Sequence, residues 1–223
     1  MNPKVIHVVL SYALMSLHAI CFDQIFPVFM STPHASSHFL FHLNGGLGFE
    51  ANTVASLMSA SGILFVTLMV TVFPLFDHWF GSLRCLRGSL VLYPVTYFLL
   101  PYLVVLPSSP VWLPLMAASA ILASKALAAV FSFNENSVLL SMAAPSRDTL
   151  GLVNGVGQTV AAGARAIGPA AMGFFIGIGD HLGSGALGWW FLAAVAAVGV
   201  IQGLYVMDEV DEISQHEVAS NRT

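Results

Sequence analysis

The chain has 223 residues, 57% of them hydrophobic and 8% charged, with a formal net charge of −4 and a mean hydropathy of +0.83. A soluble domain carries about 25% charged residues, so this composition excludes a water-soluble fold, and the acidic balance gives no sign of a nucleic-acid partner. The apolar runs are continuous rather than alternating, which excludes a membrane β-barrel and leaves an all-α protein embedded in the lipid bilayer.

A helix needs about 20 apolar residues to cross about 30 Å of hydrocarbon. Spans of that kind are expected at Val5–Phe29, Val54–Phe76, Gly88–Leu106, Val111–Met142, Leu150–Ile178 and Leu187–Met207. The first run is too long for the apolar core of a signal peptide and carries Asp23, so it reads as a retained span. Pro94 and Pro101 should kink the third span. The fifth, about 43 Å long at 1.5 Å per residue, holds eight of the 19 glycines when counted from Gly151 to Gly179, one residue past its end. Small residues let helix backbones approach closely, so it reads as a packing helix. Residues 1–207 are therefore one six-span bundle. Residues 208–223, with Asp208, Glu209, Asp211, Glu212 and Glu217, form an acidic cytosolic tail expected to be disordered.

The seven Lys and Arg residues set the orientation. Lys4, Arg84, Arg87, Arg147 and Arg222 lie outside the apolar runs and on one side of a chain that crosses six times. The opposite loops, near 31–52, 107–110 and 179–187, contain none. Basic loops stay in the cytosol, so both termini are expected there. Plasma membrane and vacuole fit equally well. The two remaining cations, Lys125 and Arg165, sit inside spans, where a charge is costly and marks function.

Polar side chains in the spans form stripes. At 100° per residue, positions i, i+4 and i+11 fall within about 40° of one another. Span one carries Tyr12, Ser16 and Asp23 in that pattern, with Gln24 next to Asp23. Span five carries Asn154, Gln158 and Arg165, and span four Lys125, Ser132 and Asn136 at i, i+7 and i+11. A carboxylate in an apolar span either takes up a proton or is held ionised by a cation. Asp23 is thus a candidate proton carrier, or a carboxylate capping the outer interface. Lys125 could neutralise Asp23 across the bundle or bind an anionic ligand. Arg165 is either an anchor to neighbouring carbonyls or a contact for substrate or a coupling proton.

Other chemistry is thin. His34, His38 and His42 could share a helical face, but Pro33 and Gly45-Gly46 argue for a loop, so no metal site is assigned. His18 reads as a hydrogen-bonded interior histidine. Cys21 and Cys85 lie in different environments and give no disulfide framework. No P-loop or HExxH occurs, and no catalytic set stands out. No cofactor and no enzymatic role are expected.

Three segments carry a family resemblance. They are Cys21-Phe22-Asp23-Gln24-Ile25-Phe26-Pro27 with Gly45-Gly46-Leu47-Gly48; then Pro74-Leu75-Phe76-Asp77 with Gly81, Arg84 and Arg87; and Ala144-Pro145-Ser146-Arg147 followed by Asn154, Gln158 and Arg165-Ala166-Ile167-Gly168-Pro169. Across nearly its whole length the chain resembles the C-terminal half of a fungal major facilitator superfamily transporter, in the drug:proton antiporter and zinc-induced facilitator-like branch. The resemblance implies two inverted three-helix repeats, half of a twelve-helix fold, and secondary transport of a small molecule, coupled to protons. It makes Asp23, Gln24, Lys125 and Asn136 substrate or coupling candidates. Asn154, Gln158, Arg165, Gly168 and Pro169 become gating and packing candidates. Asp77, Gly81, Arg84 and Arg87 would steady the inward-closed state.

The resemblance also implies a partner, an N-terminal six-span half or another such half, which this sequence lacks. A truncated product, or a regulatory membrane subunit without transport of its own, is the alternative. The polar run Asn134-Glu135-Asn136 and Lys125 depart from the apolar stretch expected in that span.

Overall fold

The computed structural model describes residues 3–34, 43–80 and 82–220, and their side chains apart from those of 3–4, 80, 82–83 and 206–220. Six long helices account for most of it: α1 Pro3–Ser31, α2 Ala51–Phe80, α3 Ser82–Leu99, α4 Trp112–Met142, α5 Leu150–His181 and α6 Leu187–Ser220. Each is long and apolar enough to cross a membrane. Among the described residues there is no β-strand, only an isolated bridge between His34 and Gly45.

Three boundaries differ from expectation, each for a local reason. The third span does not stay α-helical past Leu99. Leu100–Val105 forms a 3-10 turn with Pro101 at its start, because a proline ring clashes with the carbonyl one turn earlier. The inside loop is almost absent, since α2 runs to Phe80 and α3 starts at Ser82. Asp77, Arg84 and Arg87 therefore stand on helix ends rather than in a loop. Finally, α6 does not stop at Met207 but continues through the acidic segment to Ser220, a stretch free of Gly and Pro after Gly203.

The contacts between helices arrange them in two rows. One row runs α5–α1–α4–α2, and α6–α3 lies behind it. Exchanging α1–α3 with α4–α6 maps this packing onto itself. α1 on α5 corresponds to α4 on α2, and α1 on α6 to α4 on α3, while α1–α4 and α3–α6 are self-paired. That is the pattern of two three-helix repeats related by a pseudo-twofold. Contact senses agree: Tyr12 meets Gln158 and Cys21 approaches Gly168, so α1 and α5 run parallel. Asp23 meets Lys125 and Met15 meets Asn136, so α4 runs opposite to both.

The main core lies between α1, α3, α4 and α6. Phe22, Phe26, Tyr93, Tyr97, Leu100, Leu122 and Trp189 are all buried there. Phe29 and Trp189 meet edge to face at 5.5 Å, tying α1 to α6. A second cluster, with Val5, Val9, Leu86, Leu90 and Leu140, closes the other end. By contrast, no part of the most apolar stretch of α2 is buried.

At the end of the bundle opposite the α2–α3 turn, one side chain joins the two repeats. Asn44 Nδ2 donates to the Gly183 carbonyl at 2.9 Å, and its Oδ1 accepts from the Gly185 amide at 2.8 Å. The connections it links are tight. Gly183 has φ 70°, and a Cβ on Gly46 would overlap the Phe29 carbonyl.

Candidate functional site

Members of each polar stripe, but not whole stripes, meet where α1 packs against α4 and α5. Lys125 Nζ donates to Asp23 Oδ1 at 2.5 Å, joining α4 to α1. The lysine side chain is 14% exposed and the carboxylate 43%, so the pair is lined by protein on the lysine side and open on the aspartate side. Mutual neutralisation lowers the cost of holding two charges in an apolar span. The ammonium also lies 5.6 Å from the centre of the Phe22 ring, within cation–π range.

Deeper along α1 the same stripe turns to other partners. Tyr12 and Gln158 exchange hydrogen bonds at 3.1–3.2 Å, linking α1 to α5. Ser16 is buried. Asn136 Nδ2 donates to the Ser132 carbonyl at 2.9 Å and contacts Met15 Sδ at 3.3 Å. The structure thus brings together Asp23, Lys125, Asn136 and Gln158 through α1. It leaves Gln24 exposed and Asn154 and Arg165 half-buried on α5. Among the described residues Arg165 has no carboxylate partner.

Gly168 has a distinct role. A Cβ there would lie 2.8 Å from Cys21 Sγ and 3.2 Å from the Leu17 carbonyl. Only glycine allows α5 to cross α1 this closely, two residues before Asp23. Pro169 follows inside the same helix.

The inside-turn residues form a separate group. Cys85 Sγ reaches the Phe76 carbonyl at 3.6 Å across the α2–α3 turn. Arg84 borders an open groove of about 330 Å³ with Phe76, Cys85 and Phe131. Gly81 lies outside the described residues, as do His38 and His42. His34 Nδ1 lies 3.3 Å from the Gly46 carbonyl, beside a loop rather than on a helical face.

His18 is the hydrogen-bonded interior histidine expected from the sequence, but the hydrogen-bonded α3 side chains Tyr93, Thr96 and Tyr97 were passed over. His18 is 1% exposed, and its Nδ1 shares a hydrogen bond with the Tyr97 hydroxyl at 3.1 Å. Tyr93 shares one with Ser132 at 2.8 Å, and Thr96 with Ser124 at 2.7 Å. The signal was present as Tyr93, Thr96 and Tyr97 at helical spacing. Only the packing of α3 against both α1 and α4 gives those hydroxyls partners.

Six membrane-length helices in a repeated three-helix topology, with an ion pair between the first and fourth, define a polytopic α-helical membrane bundle. Sequence comparison places the chain within that class. It is 34% identical over 99% of its length to a major facilitator superfamily multidrug transporter of Aspergillus fumigatus. Over 90% of its length it is 23% identical to the Protein ZINC INDUCED FACILITATOR-LIKE 1 of Arabidopsis thaliana. Over 77% it is 24% identical to a probable peptide/nitrate transporter of the same plant. The chain spans only 36%, 41% and 33% of the lengths of these relatives. No protein-family model matches it, and no solved structure does. Fold and sequence together make the chain a six-span bundle of the major facilitator type.

Proposed function

We propose that this chain is one half of a proton-coupled carrier of small molecules, with Asp23 as the coupling carboxylate and Lys125 as its charge partner. The observation that carries the reading is the Lys125–Asp23 ion pair, sited between two self-paired helices and partly open. A proton arriving on Asp23 cancels its charge and releases the ammonium. The freed Lys125 then lacks its partner in an apolar span, so the pair favours different arrangements before and after protonation. Such a two-state element can bias the rocking of one half against the other.

The remaining roles follow from position. A second six-span half, N-terminal in the complete carrier, would cover the front row. Gln24 and Asn136 flank the pair as substrate contacts. Asn154, Gln158, Arg165, Gly168 and Pro169 serve the α1–α5 gating contact. Asp77, Gly81, Arg84 and Arg87 steady the inward-closed state at the cytosolic turn. Both termini lie in the cytosol, and the membrane is plasma or vacuolar. The name of the fungal relative supports a multidrug substrate range.

The test is Asp23→Asn in the full-length carrier, reconstituted in proteoliposomes with an imposed pH gradient. Gradient-driven flux should vanish while substrate exchange without a gradient persists. Flux with wild-type pH dependence would remove Asp23 from the mechanism.

A further inference from the structure

The Asp23–Lys125 pair stands beside the buried network described above, and the geometry connects the two. Tyr97 of α3 holds α1 at two successive turns. Its hydroxyl shares the hydrogen bond with His18 Nδ1 at 3.1 Å, and its ring stacks on Phe22 at 5.5 Å and 26°. His18 and Phe22 are i and i+4, so they lie on one face of α1. Phe22 immediately precedes Asp23, and its ring is the surface over which the Lys125 ammonium lies, 5.6 Å from the centroid. His18 also stands edge-on to Tyr93 at 4.6 Å, and Tyr93 in turn shares its hydroxyl bond with Ser132 of α4.

These contacts fix the rotation of α1 about its own axis. Tyr93, Tyr97, Phe22 and Ser132 are fully buried and His18 almost so. A buried imidazole nitrogen that loses its partner must find another or move. Moving it turns α1, and turning α1 changes where Asp23 points. The titratable groups around the pair are His18 and Cys21 from α1 and Tyr93 and Tyr97 from α3. α5 brings Gly168 to the same turn, with Arg165 about one turn earlier, and α6 brings Trp189.

We propose that Tyr97 and His18 are positioning residues for the Asp23–Lys125 pair: the buried α3 hydroxyl, by gripping His18, orients α1 and so sets the pH at which Asp23 exchanges its proton. The proposal rests on the pair being the proton-coupling site, and the two ideas can fail separately.

The experiment uses the full-length carrier in nanodiscs. Infrared difference spectra follow the Asp23 carboxyl as pH is varied, with the Asp23→Asn spectrum identifying its band. Tyr97→Phe removes only the hydroxyl and keeps the stack on Phe22. His18→Ala removes the imidazole, and His18→Asn returns a nitrogen near the position of Nδ1. Tyr97→Phe and His18→Ala should each displace the midpoint of the Asp23 titration by about one pH unit, a tenfold change in proton affinity. His18→Asn should return it most of the way to wild type. Midpoints unmoved in both Tyr97→Phe and His18→Ala, with folded protein by size-exclusion, would overturn the proposal. So would an equal displacement in His18→Asn and His18→Ala. If the midpoints move as expected but Asp23→Asn keeps pH-driven transport, the positioning stands and the coupling role falls.

Discussion

Gly168→Ala tests the α1–α5 crossing quantitatively. The added methyl would sit 2.8 Å from Cys21 Sγ and 3.2 Å from the Leu17 carbonyl oxygen. The first distance is about 0.6 Å short of ordinary van der Waals contact. Neither neighbour is the free end of a long side chain, since Cys21 is buried and the other atom is backbone. The helices must therefore separate, and overpacking of this kind costs about 1–3 kcal/mol. For 223 residues that corresponds to a melting shift of roughly 2–6 °C, and to less in a longer carrier. The assay is fluorescence-detected size-exclusion after heating, on the full-length protein in detergent. Cys21→Ala removes the sulfur, so the double variant should recover at least half of the loss. Its residual deficit reflects the Leu17 carbonyl. A Gly168→Ala protein that melts within a degree of wild type, or a double variant no better than the single, would refute the close crossing.

Other consequences are as direct. Asn44→Ala removes both bonds of the clasp between the repeats and should cost about 1–3 kcal/mol, read as a lower melting point with faster proteolysis near residues 43–48. Lys125→Met leaves Asp23 without its cation and should lower the yield of folded protein. Exchanging the two residues, Asp23→Lys with Lys125→Asp, should restore yield above either single change, and a swap no better than the singles would argue against the pair. Tyr12→Phe removes the partner of Gln158 and should cost about 1 kcal/mol by the same thermal assay. Orientation is checked with an impermeant maleimide on intact cells. Ser108→Cys should label from outside and Arg147→Cys should not, and the reverse result would invert the topology.

Much of this architecture was legible because a membrane simplifies the code. Apolar length alone delimits a crossing, and α4 and α5 begin within a residue of where the hydropathy places them. The stripe pattern also carried real information. Asp23 and Lys125 each stood on a polar face of an otherwise apolar helix, and those faces do meet. What periodicity could not supply is which helix stands next to which. Tyr93 and Tyr97 look like ordinary aromatics of an apolar span until α3 is placed against both α1 and α4. Only then does the His18 imidazole acquire its hydroxyl. The helix ends were obscured for a simpler reason. Hydropathy marks where the lipid stops and not where the hydrogen-bonded ladder stops, so α2 and α6 run past their apolar limits.

The exchange symmetry of the packing conceals an inequality of grip. On one side, α5 is locked to α1 by a glycine crossing and by the Tyr12–Gln158 bonds. On the other, α2 meets α4 through looser aromatic contacts, Phe73 and Phe76 with Phe131 at 5.6 and 6.0 Å. Topological twins thus differ in their resistance to being peeled away. Cooperative units open in order of their buried contact, so heating this chain in detergent should release α2 before the other five helices.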